Sequence, residues 1–323
     1  MITRRKLIVA LGAGALAPIL AAAQTGKRRP VVGVVRVNPR DTNETFIEPF
    51  RRDMAVLGWI ENDNVEYLFS WAGGRNAALA PLIADMVARK VDMIVVFGPV
   101  GARAALQATT TIPIVAMTDD LAGGGLVKSM ARPGGNLTGV SILAAELDSK
   151  RLEILHEATP SVRRVGVLYD PGLVRSMAAI KASAPRLGIE IALAAGQTEA
   201  EIAEAIKSLI REKVGAVNVL ASANLNAFRA HQIAEFARAR LPSIYEWPET
   251  AEQGGFLGYG PRNTAVYRQL AGLIDKILRG AKPAELPVEQ PTKFELVVNL
   301  KTAKAIGVTI PQTVMLRADK VIQ

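Results

Sequence analysis

The side chains best placed for chemistry in this chain sit in short clusters at the ends of apolar runs. Asn38 and Pro39, with Arg40, follow VVGVVRV at 31–37. Phe97, Gly98, Pro99 and Val100 close VDMIVVF at 91–97, and Thr118 and Asp119 follow IPIVAM at 112–117. Further on, Tyr169 and Asp170 end RVGVLY, Ser222 and Asn224 follow AVNVL, and Tyr245, Glu246 and Trp247 end SIYEW. Tyr259 comes after the Gly254-Gly255 turn. Amides, hydroxyls and carboxylates of this kind orient a small molecule, while Tyr and Trp add flat contact area with a polar handle at little entropic cost. Asp119 has two roles open to it, pairing with a ligand amine or fixing a turn. Phe97 and Trp71 each suit either an apolar ligand or core packing. Tyr245-Glu246-Trp247 is the most informative group, because a structural strand rarely needs all three.

The same inventory is poor in catalytic groups. There are two histidines, His156 and His231, each inside an expected helix among charged or polar neighbours. There is no cysteine, which excludes disulfides, thiolate catalysis and cysteine metal sites. No G-x-S-x-G elbow occurs. Asp119 and Asp120 lack a further acid at calcium-loop spacing, and Lys128-Ser129 lacks the spacing of a phosphate loop. No metal or cofactor is expected. An enzyme using Asp119 and Glu246 is a weaker alternative for want of an activating base.

The elements that must position these residues alternate strictly. Strands are expected at 31–37, 65–71, 91–97 and 112–117, with helices at 45–57, 77–89 and 102–108 between them. A short helix is expected after Gly123-Gly124-Gly125, then a strand at 137–141 that leaves one lobe for a second. The pattern restarts with helices at 147–158, 176–187, 228–240 and 265–278, Asn263 capping the last, and strands at 164–169, 189–195, 216–220, 243–247 and 255–259. Thr198-x-x-Glu201 reads as a capping box for a helix to Arg211. Continuous apolar strands alternating with helices mean parallel sheets covered on both faces. Two such series give the fold class: α/β, with two similar doubly wound lobes joined by a hinge. Hinge candidates are Gly139-Val140-Ser141, Gly260-Pro261 and 287–291. Binding residues at the carboxyl ends of strands fit the usual site of such sheets. Amides opening the helix after Phe97 would favour a carboxylate.

Three stretches also carry a family resemblance: TDDLAGGGLVKSMARPGGNLTGVS, YEWPETAEQGGFLGYG and PTKFELVVNLKTAKAIGVTIP. Together they resemble the substrate-binding proteins of ABC transporters, including tryptophan- and other amino-acid-binding members, from about Val31 onward. The resemblance implies a type I periplasmic-binding-protein fold whose chain passes between its lobes three times. The lobes would be 31–140 with 260–287, and 141–259 with 288–323. It implies a monomer that captures a small organic solute, an amino acid or a small or aromatic carboxylate, and delivers it to an ABC permease. Family members that bind amino acids tend to offer a hydroxyl where this chain has Phe97-Gly98-Pro99-Val100. An exported sensor partnering a membrane receptor is the alternative.

The address fits. Thr3-Arg4-Arg5-Lys6 precedes an apolar stretch, and Ala21-Ala22-Ala23 offers a small-residue cleavage site. Residues 1–23 read as an export signal with twin arginines, and 24–30 as a linker to a periplasmic protein that meets the membrane only through its permease. The net charge is +9, with no basic helix or aromatic-interleaved basic strand to suggest nucleic acid.

Overall fold

Apolar runs and helical segments alternate in this chain to give two separate sheets. The structure, a computed structural model, describes residues 28–40, 44–173 and 177–323. The expected export signal, linker residues 24–27, the loop residues Asp41, Thr42 and Asn43, and Ser176 lie outside them.

The first sheet contains β1 (Val31–Arg36), β2 (Glu66–Trp71), β3 (Met93–Phe97), β4 (Ile114–Thr118) and β5 (Leu137–Ser141), with α1 (Glu44–Val56), α2 (Leu79–Ala88) and α3 (Gly98–Ala108) between strands. All pairings are parallel, in the order β2-β1-β3-β4-β5. The chain then forms α4 (Ala144–Ala158), β6 (Arg164–Tyr169), α5 (Ala178–Arg186), β7 (Glu190–Ala195), α6 (Glu199–Arg211) and β8 (Ala216–Val219). α7 (Ala223–Ala227), α8 (Arg229–Arg238), β9 (Ser243–Tyr245), α9 (Pro248–Glu252) and β10 (Leu257–Gly260) follow. The order β7-β6-β8-β9-β10 repeats that of the first sheet. The capping box is formed: Glu201 N–H donates to Thr198 Oγ1 at 3.3 Å, and Thr198 N–H to the Glu201 carboxylate at 3.1 Å.

α10 (Asn263–Leu278) returns to the first sheet, where Val266, Leu270 and Ile274 pack with Phe46, Phe50 and Met54. α2 and α3 cover the opposite face through Ile83, Met86, Ala102 and Ala105. The chain then adds β11 (Glu295–Asn299), α11 (Leu300–Ile306), α12 (Gln312–Met315) and β12 (Lys320–Ile322) to the second sheet, with β11 antiparallel to β10.

Several expectations need correction. β5 does not leave the first sheet: it pairs with β4 along its length, and the crossing comes after Ser141, through Ile142 and Leu143. No helix follows the glycines at 123–125. Asp120 takes the Ala122 and Gly123 N–H groups at 3.1 and 2.9 Å and holds that stretch as a turn. Gly260 still pairs with Glu295 in the second sheet. Glu289 pairs with β5, its N–H on Gly139 O and its carbonyl on Ser141 N–H, both at 2.9 Å, so the third crossing lies beyond it. α3 begins directly at Gly98, and the helix expected at 228–240 is preceded by the separate α7. Asn263 is not the cap of α10 but its first residue, and its N–H donates to Glu249 at 2.9 Å.

A buried ion pair ties the first two crossings together. Arg151 and Asp148, one turn apart on α4, bond to each other, and each side chain is 1% exposed. Arg151 also donates to the carbonyls of Tyr259, at 3.0 Å, and Ala144, at 3.3 Å. Asp148 Oδ1 accepts Ala221 N–H at 3.3 Å. Removing the arginine leaves a buried carboxylate uncompensated, so Arg151→Ala should lose about 3–5 kcal/mol of stability. Urea unfolding of the two proteins measures it.

Candidate functional site

Doubly wound sheets open a crevice at the carboxyl ends of the strands where the winding reverses, here between β1 and β3 and between β6 and β8. The two crevices meet in one cleft. Of the residues expected to bind, Asn38, Phe97, Gly98, Thr118 and Asp119 line it from the first lobe, and Ser222, Glu246 and Trp247 from the second. Local backbone chemistry fixes these positions. Ile142 and Leu143 donate to the carbonyls of Thr118 and Asp119 at 3.0 and 3.1 Å, so the crossing chain holds the first-lobe rim. Ser222 N–H donates to Glu246 at 2.9 Å. Gly98 sits at φ 77°, a left-handed conformation that suits glycine, where β3 turns directly into α3. Gly260 runs so close to Glu246 that a Cβ there would lie 2.0 Å from the Glu246 carbonyl oxygen. Trp247 and Ala221 reach the apolar cluster of the first lobe, so the lobes touch.

The other expected residues lie elsewhere. Pro99, Val100 and Asn224 line an adjoining pocket together with Asp170. The Asp170 carboxylate is already engaged by Gly172 N–H, Gln197 Nε2, Ser222 Oγ and Asn224 Nδ2 at 2.8–2.9 Å, which makes it a loop organiser. Tyr169 lines a separate cavity with Leu173 and Met177. Tyr245 is not in the cleft: strand alternation turns it into the core beneath α6 and α8, where burial pushes its phenol pKa up. Tyr259 packs against the opposite core of that sheet and offers Arg151 only its carbonyl. Pro39 is half-buried outside the cleft lining, and Trp71 stacks on Phe69 at 6.0 Å beneath Arg40.

Sequence reasoning missed Arg36, Met117, Ile142, Asn226, Asn263 and Tyr267, which complete the lining with Ala223. Arg36 was visible in principle. It is the one charge inside VVGVVRV, and period-two alternation puts it on the face of Val32 and Val34. The resemblance placed the helix of Tyr267 and Asn263 with the first lobe, but nothing in its pattern said which of its residues face the cleft.

Four buried polar atoms without a partner among the described residues converge on this cleft: Arg36 Nε and Nη1, Thr118 Oγ1 and Asn263 Oδ1. Native interiors leave few such atoms, because each costs about 1–3 kcal/mol. Four of the sixteen such atoms among the described residues share this lining, where a bound solute or water would satisfy them. Neither histidine lines it, and no cluster of metal-ligating side chains occurs among the described residues. Thr118→Val removes one unmet hydroxyl. The empty protein should gain up to about 1 kcal/mol while ligand affinity falls about tenfold, as read by thermal unfolding and calorimetry.

Two touching lobes of repeated 2-1-3-4-5 order around a shared polar cleft define a type I periplasmic-binding-protein fold. The chain belongs to the ABC transporter substrate binding protein family, whose model matches residues 40–322. A tyrosine-binding protein of Clostridioides difficile (strain R20291) is 26% identical over 288 residues, 87% of this chain and 81% of that protein. A solved ABC domain in complex with L-Trp, from Streptococcus pneumonia, is 25% identical with a TM-score of 0.80, covering 91% of this chain and 100% of that one. A conserved domain protein from Vibrio cholerae has a TM-score of 0.83 at 26% identity, over 91% and 100% of the two chains.

Proposed function

We propose that this protein captures a small organic solute bearing a carboxylate, an amino acid or small organic acid, between its lobes outside the cytoplasmic membrane and delivers it to an ABC permease. The observation that carries this reading is the set of unmet buried polar atoms in a cleft built from both lobes. Arg36 supplies positive charge and Thr118 a hydroxyl from the first lobe. Ser222, Glu246 and Trp247 close from the second, with Asn263 on α10. The amino-acid ligands named for two relatives support the ligand class. The expected export signal supports the location, and no described helix is long and apolar enough to cross a membrane.

The mechanism is differential affinity. A solute touching both rims stabilises the closed arrangement over an open one, and the permease distinguishes the two. Rotation is absorbed by the three crossings. The first of these holds Leu143 at φ 56°, a conformation that costs a branched side chain about 1 kcal/mol or more. The family favours binding over turnover, by a protein acting as a monomer without a cofactor.

A thermal-shift screen of the purified protein against amino acids and organic acids, followed by small-angle scattering, tests the proposal. A true ligand at a hundredfold excess over its Kd should stabilise the protein by about 2.7 kcal/mol. It should also reduce the radius of gyration. A full screen with neither effect would rule out solute capture in this cleft.

A further inference from the structure

Arg36 is a cation at any physiological pH, yet it is 6% exposed. Its guanidinium carbon lies 4.0 Å from the ring centre of Phe46 and 4.3 Å from that of Phe97, contacts that offset part of its desolvation. Nη2 donates to Asn38 Oδ1 at 3.4 Å, Nε and Nη1 meet no acceptor in good hydrogen-bond geometry among the described residues, and the Tyr267 hydroxyl is the one side chain that interacts with the guanidinium as an acceptor would. Burial lowers its pKa, the Tyr267 hydroxyl opposes that shift, and the positive charge of Arg229 adds to it. Arg229 belongs to the other lobe. It is half-buried on α8, with Nε on Gln253 at 2.7 Å and Nη1 on Asn226 O at 3.1 Å. Glu249 counters part of its charge and itself accepts Asn263 N–H.

The two arginines also line a second, solvent-open compartment that shares Arg36, Asn38 and Asn263 with the cleft. Every residue lining it has a polar side chain, among them Thr250, Gln253 and Thr264. An aromatic side chain placed there would meet mainly polar groups, Tyr267 apart, and would gain little by displacing their water, which is how a polar pocket disfavours an apolar ligand. A second oxyanion would satisfy them.

We propose that the ligand is a small diacid, an acidic amino acid or a dicarboxylate. One carboxylate sits on the unoccupied donors of Arg36 and the other faces Arg229. The inference rests on the cleft being the solute site. It also assigns a device: Arg36 and Arg229 line the compartment from opposite lobes, with Glu249 beside Arg229 and Asp119 and Glu246 on the cleft lining, and a dianion spanning the two arginines makes them the clamp.

Calorimetry and scattering on the purified protein with L-glutamate, L-aspartate, succinate, glutarate, L-glutamine, L-tyrosine and L-tryptophan test it. At least one diacid should bind about tenfold or more tighter than L-glutamine and either aromatic amino acid, and should compact the protein. R36Q should weaken that diacid by about thirtyfold or more, with the circular dichroism of the empty protein unchanged. R229Q, at the half-exposed rim, should weaken the diacid more than L-glutamine and serves if R36Q does not fold. Tighter, compacting binding of L-tyrosine or L-tryptophan than of every diacid would overturn the diacid assignment while leaving solute capture standing. Folded variants with unchanged diacid affinity would overturn the clamp. No compaction with any of these solutes would overturn the assignment, and the wider screen then decides solute capture.

Discussion

The Arg151–Asp148 pair is the constraint on which the geometry of this molecule depends. A chain that passes between two sheets three times has connecting strands free to splay, and each splay would move a cleft residue. The pair binds the carbonyl of Ala144, just past the first crossing, and that of Tyr259, just before the second. It also holds the amide of Ala221, beside Ser222 at the second-lobe rim. Buried ion pairs add little net stability compared with well-packed apolar residues. What this one supplies is position, because an arginine fork and a carboxylate fix direction as well as distance.

The molecule holds two buried arginines in opposite circumstances. Arg151 uses both Nη groups on protein acceptors and leaves only Nε without one among the described residues. Arg36 lies between two phenylalanine rings, with a long bond to Asn38 and the Tyr267 hydroxyl nearby. Aromatic faces can hold a cation but cannot replace the directed acceptors that a guanidinium requires. The contrast separates a group that organises the fold from one held in readiness, and it does so without reference to any relative.

The sheets were legible in the sequence because fully buried parallel strands read as unbroken apolar runs. Most strand ends could be found to within a residue or two, and with them half of the lining of the cleft. Reading failed where a side chain's face mattered more than its type. Ile244 and Tyr245 are neighbours, yet alternation sends them into the cores on opposite faces of the second sheet, leaving Glu246 and Trp247, past the strand, to reach the cleft. Asp170 was chosen for its carboxylate, but local donors occupy it, a competition that composition cannot reveal. Arg36 was passed over because a strand pattern absorbs a single charge. Tyr267 lies on a helix whose home lobe no periodicity discloses.

The return of α10 has a consequence for synthesis. Phe46, Phe50 and Met54 are made early, but Val266, Leu270 and Ile274, which cover them, are made only after every strand from β6 to β10. On a ribosome, the earliest-made half therefore waits with one oily flank uncovered while the later half has its first five strands in hand. Such an intermediate is slow to commit and offers chaperones a binding surface. The half that is begun first has to be finished by a segment translated long after it.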